Sequence, residues 1–141
     1  MYSHILVAIE NSDADRAVLA HVEALARLTK ARLLLVHVAD GWAARHFEDL
    51  KLRESEEIRT DREYLEQLCA DFEARGIEAR GRLAMGDPAT ELVKVAENEP
   101  VDLIAMATHG HRFLADLVRG STADRVRHNV KVPVLMVRAT G

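Results

Sequence analysis

Short, unbroken apolar runs alternate along this chain with longer stretches in which apolar residues recur every three or four positions. Residues 5–9 (ILVAI), 33–38 (LLLVHV), 101–107 (VDLIAMA) and 133–137 (PVLMV) are runs of the first kind. Runs of this length and composition predict strands; the first two suit burial on both faces, as in a parallel sheet, while Pro133 at the start of the last is better tolerated at an edge. Residues 77–85 alternate instead. Ile77, Ala79, Gly81, Leu83 and Met85 fall on one side and Arg80 and Arg82 on the other, which predicts an edge strand with one wet face.

The stretches between the runs have helical spacing. Ser12, followed three residues later by Asp15, has the form of a capping box and predicts a helix running to about Thr29, with Val18, Val22, Leu25 and Leu28 inward. Residues 48–75 predict one long amphipathic helix. Ile58, Leu65, Leu68, Cys69 and Phe72 lie mostly on one face, and Gly76 is the stop. Residues 42–47 show no clear period and read as a loop or a short helical turn. Asp87 and Pro88 suit the cap and first position of a helix that buries Leu92, Val93 and Ala96 and ends at residues 98–100. A last helix is expected over residues 121–129, with Val126 and Val130 inward. The order βαβαβαβαβ implies an α/β fold with a parallel sheet and right-handed crossovers.

Composition narrows the function more than the fold. The chain has 141 residues, enough for a single domain spanning 1–141. Aromatics make up only 4%, so the core rests on Val, Leu, Ile and Ala. The net charge of -4 argues against nucleic acid as a partner, because phosphate backbones select basic surfaces. One cysteine permits no internal disulfide. No apolar run is long enough to insert into a membrane, and the first residues carry no basic leader, so a cytoplasmic protein is expected.

The chemistry concentrates in residues 107–122, ATHGHRFLADLVRGST, between a strand and a helix. Amides at a helix start lack internal partners and carry the positive end of the helix dipole. Gly110 and Gly120 permit close approach of a phosphate. Ser121 and Thr122 add hydroxyls, and His111, Arg112 and Arg119 add donors or positive charge. Other signatures are missing: the P-loop lysine motif, G-x-G-x-x-G after the first strand, C-x-x-C, H-E-x-x-H and G-x-S-x-G. The H-G-H at 109–111 lacks evident further ligands, so no metal site and no catalytic residue are assigned. If the first and fourth strands are neighbours, Ala8, Ile9, Glu10, Asn11 and Ser12 face this stretch. Ala8, Ile9 and Val38 then form an apolar strip suited to a purine, and Glu10 offers a carboxylate to ribose hydroxyls.

Along its whole length the sequence resembles the small, single-domain universal stress proteins. The likeness is carried by ILVAIENS at the first strand, LLLVHVAD at the second, GDPATELVKVAE after the third, and ATHG…GSTADRV…VPVLMV at the end. Against the G-x2-G-x9-G-[ST] of ATP-binding members this chain reads Ala107-x2-Gly110-x9-Gly120-Ser121. The resemblance implies a doubly wound, Rossmann-like sheet of five parallel strands in the order 3-2-1-4-5, with helices on both faces. It also implies ATP bound between strands one and four, homodimers paired through the last strand, and little or no turnover of the nucleotide.

Carried over by position, Ala8, Ile9 and Glu10 fall at the adenine and ribose, and Val38 at the adenine. Gly110, Gly120, Ser121 and Thr122 fall at the phosphates. Ala107 stands where the first motif glycine is usual, and Glu10 where Asp is usual; neither is a bulky block. The expected ligand is ATP, with ADP or AMP as shorter forms and Mg²⁺ as a companion. The expected role is regulatory, through nucleotide-dependent conformation and an unidentified protein partner. A nucleotide-free dimeric interaction module and a slow ATP hydrolase are the alternatives.

Overall fold

The computed structural model describes residues 1–40, 47–108 and 122–139, and side chains are described except at 40 and 47–55. Its elements are β1 (His4–Ile9), α1 (Asp15–Thr29), β2 (Arg32–Asp40), α2 (Phe47–Ala74), β3 (Ala79–Gly86), α3 (Pro88–Asn98), β4 (Leu103–Thr108), α4 (Thr122–Asn129) and β5 (Val134–Arg138). The strands form one sheet in the order β3-β2-β1-β4-β5, and every pairing is parallel.

Strand alternation divides the core in two. On one face Ile5, Val7, Leu33, Leu35, Leu103 and Ala105 pack with Val18, Val22 and Ala26 of α1 and Leu65 and Phe72 of α2. On the other, Leu6, Leu34, Val36, Ile104 and Met106 pack with Leu92 and Val95 of α3 and Val126 of α4. The unbroken apolar runs are explained by this sandwich, since both faces of β1, β2 and β4 are covered. The edge position predicted for β3 is observed, but the alternation is imperfect: Arg80 is exposed and Arg82 half-buried, while Gly81 and Met85, expected inward, are exposed. The strand begins at Ala79, two residues after the expected start.

Local chemistry sets the ends of the helices. Lys30 adopts a left-handed φ of 62° after α1, and its N–H donates to the Ala26 carbonyl at 2.7 Å. Gly76, at φ +83°, ends α2 while the Ile77 N–H reaches back to the Phe72 carbonyl at 2.9 Å. Asp87 caps α3 by accepting from the Thr90 N–H at 3.0 Å, with Pro88 in the first turn. Leu28 departs from expectation. It is 83% exposed, and Ala26 takes the inward place on α1.

The start of α1 also departs from the capping-box reading. The helix begins at Asp15, and Ala14 at the cap position makes no side-chain cap bond. Ser12 lies in the turn before it, where its hydroxyl accepts from the Ala14 N–H at 3.3 Å. Asp15 is turned inward and is 1% exposed.

Candidate functional site

A doubly wound sheet binds ligands where its winding reverses, beyond the carboxyl ends of the strands. Here that place lies between β1 and β4, from which the chain builds outward to β3 on one side and β5 on the other. The ladder between these two strands runs from Ile5–Leu103 to Val7–Ala105 and stops. The flanking ladders continue, β1–β2 to Ile9–His37 and β4–β5 to Thr108–Arg138. The sheet is thus unlaced at its centre while its neighbours remain paired.

The residues at this opening separate by face. Ala8 of β1 and Val38 of β2 are half-buried on the α3–α4 face, where Met106 of β4 and Ala123 of α4 also pack. Ile9 is 4% exposed and packs on the opposite, α1–α2 face, so its side chain does not share a surface with those of Ala8 and Val38. Alternation along one strand dictates this split. Ala107 also packs on the α1–α2 face. Glu10 follows β1 directly and is exposed, and its carboxylate accepts from the Ser12 hydroxyl at 3.2 Å. Thr122, half-buried, opens α4. Gly110, His111, Arg112, Gly120 and Ser121 lie outside the described residues, as do Arg119, the H-G-H segment and Trp42.

Two anchors hold α4 in place. Val126 is fully buried, and Arg125 pairs with Asp87 at 2.9 Å, joining α4 to the start of α3. The Arg125 bond, assisted by the Thr90 hydroxyl and amide, lowers the Asp87 carboxyl to about 2.

The turn that carries Glu10 is suspended from two carboxylates that the sequence did not single out for this task. Asp15 accepts from the amides of Glu10 at 2.8 Å, Asn11 at 2.8 Å and Ser12 at 3.4 Å, and from the Tyr64 hydroxyl of α2 at 2.7 Å. Burial raises the Tyr64 phenol above its ordinary value, and its bond to Asp15 and the charge there add to the shift. Asp61 of α2 accepts from the Asn11 side-chain amide at 2.9 Å and meets His37 Nε2 at 3.0 Å. His37 Nδ1 lies 3.1 Å from the Ile9 carbonyl. His37 itself is buried. Cys69 is half-buried on α2, with its thiol pushed up by burial and by Glu73 and Glu66. Among the described residues, no three His, Cys, Asp or Glu side chains are grouped to hold a metal ion.

The profile of the universal stress protein family matches residues 1–138. This chain belongs to that family. It is 28% identical to the universal stress protein MJ0577 of Methanocaldococcus jannaschii, over 98% of this chain and 96% of that protein. The solved structure of MJ0577 superposes with a TM-score of 0.82, covering 100% of this chain and 99% of the other. A Thermus aquaticus universal stress protein, encoded in a QAH/OAS sulfhydrylase 3′ region, is 31% identical over 98% of this chain and 100% of its own length. The universal stress protein of Archaeoglobus fulgidus, solved in complex with dAMP, shares the fold at 23% identity and a TM-score of 0.71, covering 96% of this chain and 98% of that one.

Membership agrees with the parallel sheet and its 3-2-1-4-5 order. No helix among the described residues is long and apolar enough to cross a membrane. Of the contacts described above, the attachment of the Glu10 turn to α2 through Asp61 and Tyr64 was not visible in any motif. These side chains lie about 50 positions from the turn they hold.

Proposed function

We propose that this universal stress protein binds an adenine nucleotide, with ATP as the leading candidate, in the opening between the carboxyl ends of β1 and β4. Its regulatory output would then depend on the bound state. The observation that carries this reading is the β1–β4 ladder, which stops at Val7–Ala105 while both neighbouring ladders run on. An unlaced centre at the point of reversed winding is where an α/β sheet accepts a ligand.

The chemistry around the opening supports the same ligand class. Ala8 and Val38 offer a small apolar surface on one face, fit for a flat base. The Glu10 carboxylate, exposed at the end of β1, has the acceptors that ribose hydroxyls need. The Ala107 methyl packs on the α1–α2 face, away from Ala8 and Val38, so the departure from glycine leaves that surface clear. The start of α4 at Thr122 is suited to phosphate, since its first amides have no partners within the helix. The dAMP complex of the A. fulgidus protein is in keeping with an adenine nucleotide on this fold. By the family motif Gly110, Gly120 and Ser121 would complete the phosphate side, and Mg²⁺ would accompany the phosphates.

The protein would act in the cytoplasm as a homodimer paired through β5, an edge strand whose residues Val134, Leu135, Met136 and Val137 are half-buried. A ligand shifts such a protein only by preferring one of its states, so the partner would read the nucleotide-bound form. Protein purified without added nucleotide is denatured and its supernatant chromatographed, and refolded or fresh apoprotein is melted with and without ATP. An adenine nucleotide in the supernatant, or a melting temperature that rises with ATP concentration, is the expected result. An empty supernatant together with an unmoved melting temperature would remove the proposal.

A further inference from the structure

The β1–α1 turn is held by Asp15 at the start of α1 and also from outside its own segment. Asn11 sits at φ +62°, a left-handed conformation that asparagine tolerates better than most side chains, and here its side chain is tied down as well. Its amide is held by Asp15, and its side chain is fixed from α2. Asp61 Oδ1 accepts from the Asn11 side-chain amide at 2.9 Å, and Asp61 Oδ2 meets His37 Nε2 at 3.0 Å. The other ring nitrogen of His37 closes the loop on the Ile9 carbonyl at 3.1 Å. Tyr64, three positions after Asp61 and so on the same side of α2, holds Asp15, which in turn receives the Glu10 and Asn11 amides.

The bonding at His37 requires a bridging partner. A carbonyl oxygen only accepts, so Nδ1 carries a hydrogen. Nε2 then faces a carboxylate oxygen, and the contact needs a further proton, on the ring or on the carboxyl. Asp61 therefore ties β2 to the turn through two hydrogen bonds, one at each oxygen. Nothing in this chain of contacts is needed to complete α2 or the β1–β2 ladder, each of which carries its own backbone bonds.

We infer that Asp61 and His37 are positioning residues for the Glu10 turn. Through them the long helix α2 sets how well the protein distinguishes the ribose hydroxyls of its ligand. The inference rests on the nucleotide reading above for its ligand, but its mechanical part does not. Removing Asp61 leaves the Asn11 amide and His37 Nε2 without their partner, and the left-handed turn relaxes. Displacement of a recognition group by about 1 Å is enough to lose an aligned contact. Asp61→Asn preserves the bridge, because its amide N–H donates to Nε2 of a neutral ring and its oxygen still accepts from Asn11.

The test compares full-length wild type, Asp61→Ala and Asp61→Asn by two readouts. The first is the affinity ratio of ATP to 3′-deoxy-ATP by calorimetry, with inorganic tripolyphosphate as a probe of the phosphate side alone. A ratio measured on one preparation is insensitive to a misfolded fraction. Wild type and Asp61→Asn are expected to prefer ATP by about tenfold, the worth of a hydrogen bond to a charged group. Asp61→Ala is expected to fall to a ratio near one while binding tripolyphosphate as wild type does.

The second readout is amide exchange without ligand. Glu10, Asn11 and Ser12 are expected to exchange roughly tenfold faster in Asp61→Ala alone, with Leu6 and Val7 unchanged. A preserved ratio in Asp61→Ala, a lost ratio in Asp61→Asn, no hydroxyl preference in a wild type that binds ATP, or unaltered exchange at residues 10–12 would each overturn the inference. A wild type that binds no ATP but shows the exchange effect overturns the nucleotide reading and leaves the hold on the turn established.

Discussion

Replacing Asp15 by asparagine tests whether the buried carboxylate holds the β1–α1 turn together. The substitution keeps shape and volume and changes only charge and donor pattern. Every partner of the carboxylate is a donor: the Glu10, Asn11 and Ser12 amides and the Tyr64 hydroxyl. If the asparagine oxygen serves Asn11, Ser12 and Tyr64, its NH₂ group must face the Glu10 N–H, donor against donor. An unsatisfied buried group costs about 1–3 kcal/mol, and each remaining bond weakens by a few tenths to about 1 kcal/mol once it is no longer charge-assisted. The sum is about 2–6 kcal/mol, or a fall in melting temperature of roughly 7–20 °C for a domain of this length.

Urea unfolding followed by far-UV circular dichroism measures this directly. Tyr64→Phe serves as the partial version, with a loss of about 1–2 kcal/mol at neutral pH. The Tyr64 phenol is raised in the folded protein above its ordinary value of 10.0. The unfolded chain therefore ionises first, and Tyr64's contribution is full below that value and fades as pH climbs past it. The gap between wild type and Tyr64→Phe should accordingly narrow above pH 10. An Asp15→Asn loss below about 1 kcal/mol, the worth of a single neutral hydrogen bond, would refute the reasoning.

Asp87→Ala removes the α3 cap and the Arg125 partner, and should cost about 1 kcal/mol near neutral pH in the same unfolding assay. Because the Asp87 carboxyl is lowered from 3.8 to about 2, this difference should be complete above pH 4 and vanish as pH falls toward 2. Gly81→Val presses β3 against α2: even a Cβ alone would lie 3.3 Å from Leu65 Cβ and 3.4 Å from Cys69 Sγ. Overpacking of that kind should cost about 1–3 kcal/mol, read as a lower urea midpoint with an unchanged slope.

The parts of the fold legible in the sequence were those with a period. The runs at β1 and β2 had to be buried on both faces, and the alternation of residues 77–85 had to lie at an edge. What escaped were choices made by partners distant in the chain. Leu28 continues the apolar stripe of α1 yet faces solvent, because Ala26 is the residue that meets the sheet. Asp15 has the spacing of a capping residue but serves the turn behind it, drawn inward by Tyr64. Ala8 and Ile9 both look like floor for a base, but adjacent residues on a strand point to opposite faces, and only the assembled layers assign Ala8 to the side of Val38. The spacing of Gly110, Gly120 and Ser121 was readable as a phosphate motif, and these residues lie outside the described part of the structure.

The most direct test of nucleotide binding between β1 and β4 is a titration of ¹⁵N-labelled protein with ATP, followed residue by residue in the ¹H–¹⁵N correlation spectrum. Binding there predicts saturable shifts concentrated at residues 8–12, 36–40 and 106–123, with the amides of β3 and the second half of α2 left in place. Shifts absent at millimolar ATP, or gathered on α2 and β3 instead, would contradict it.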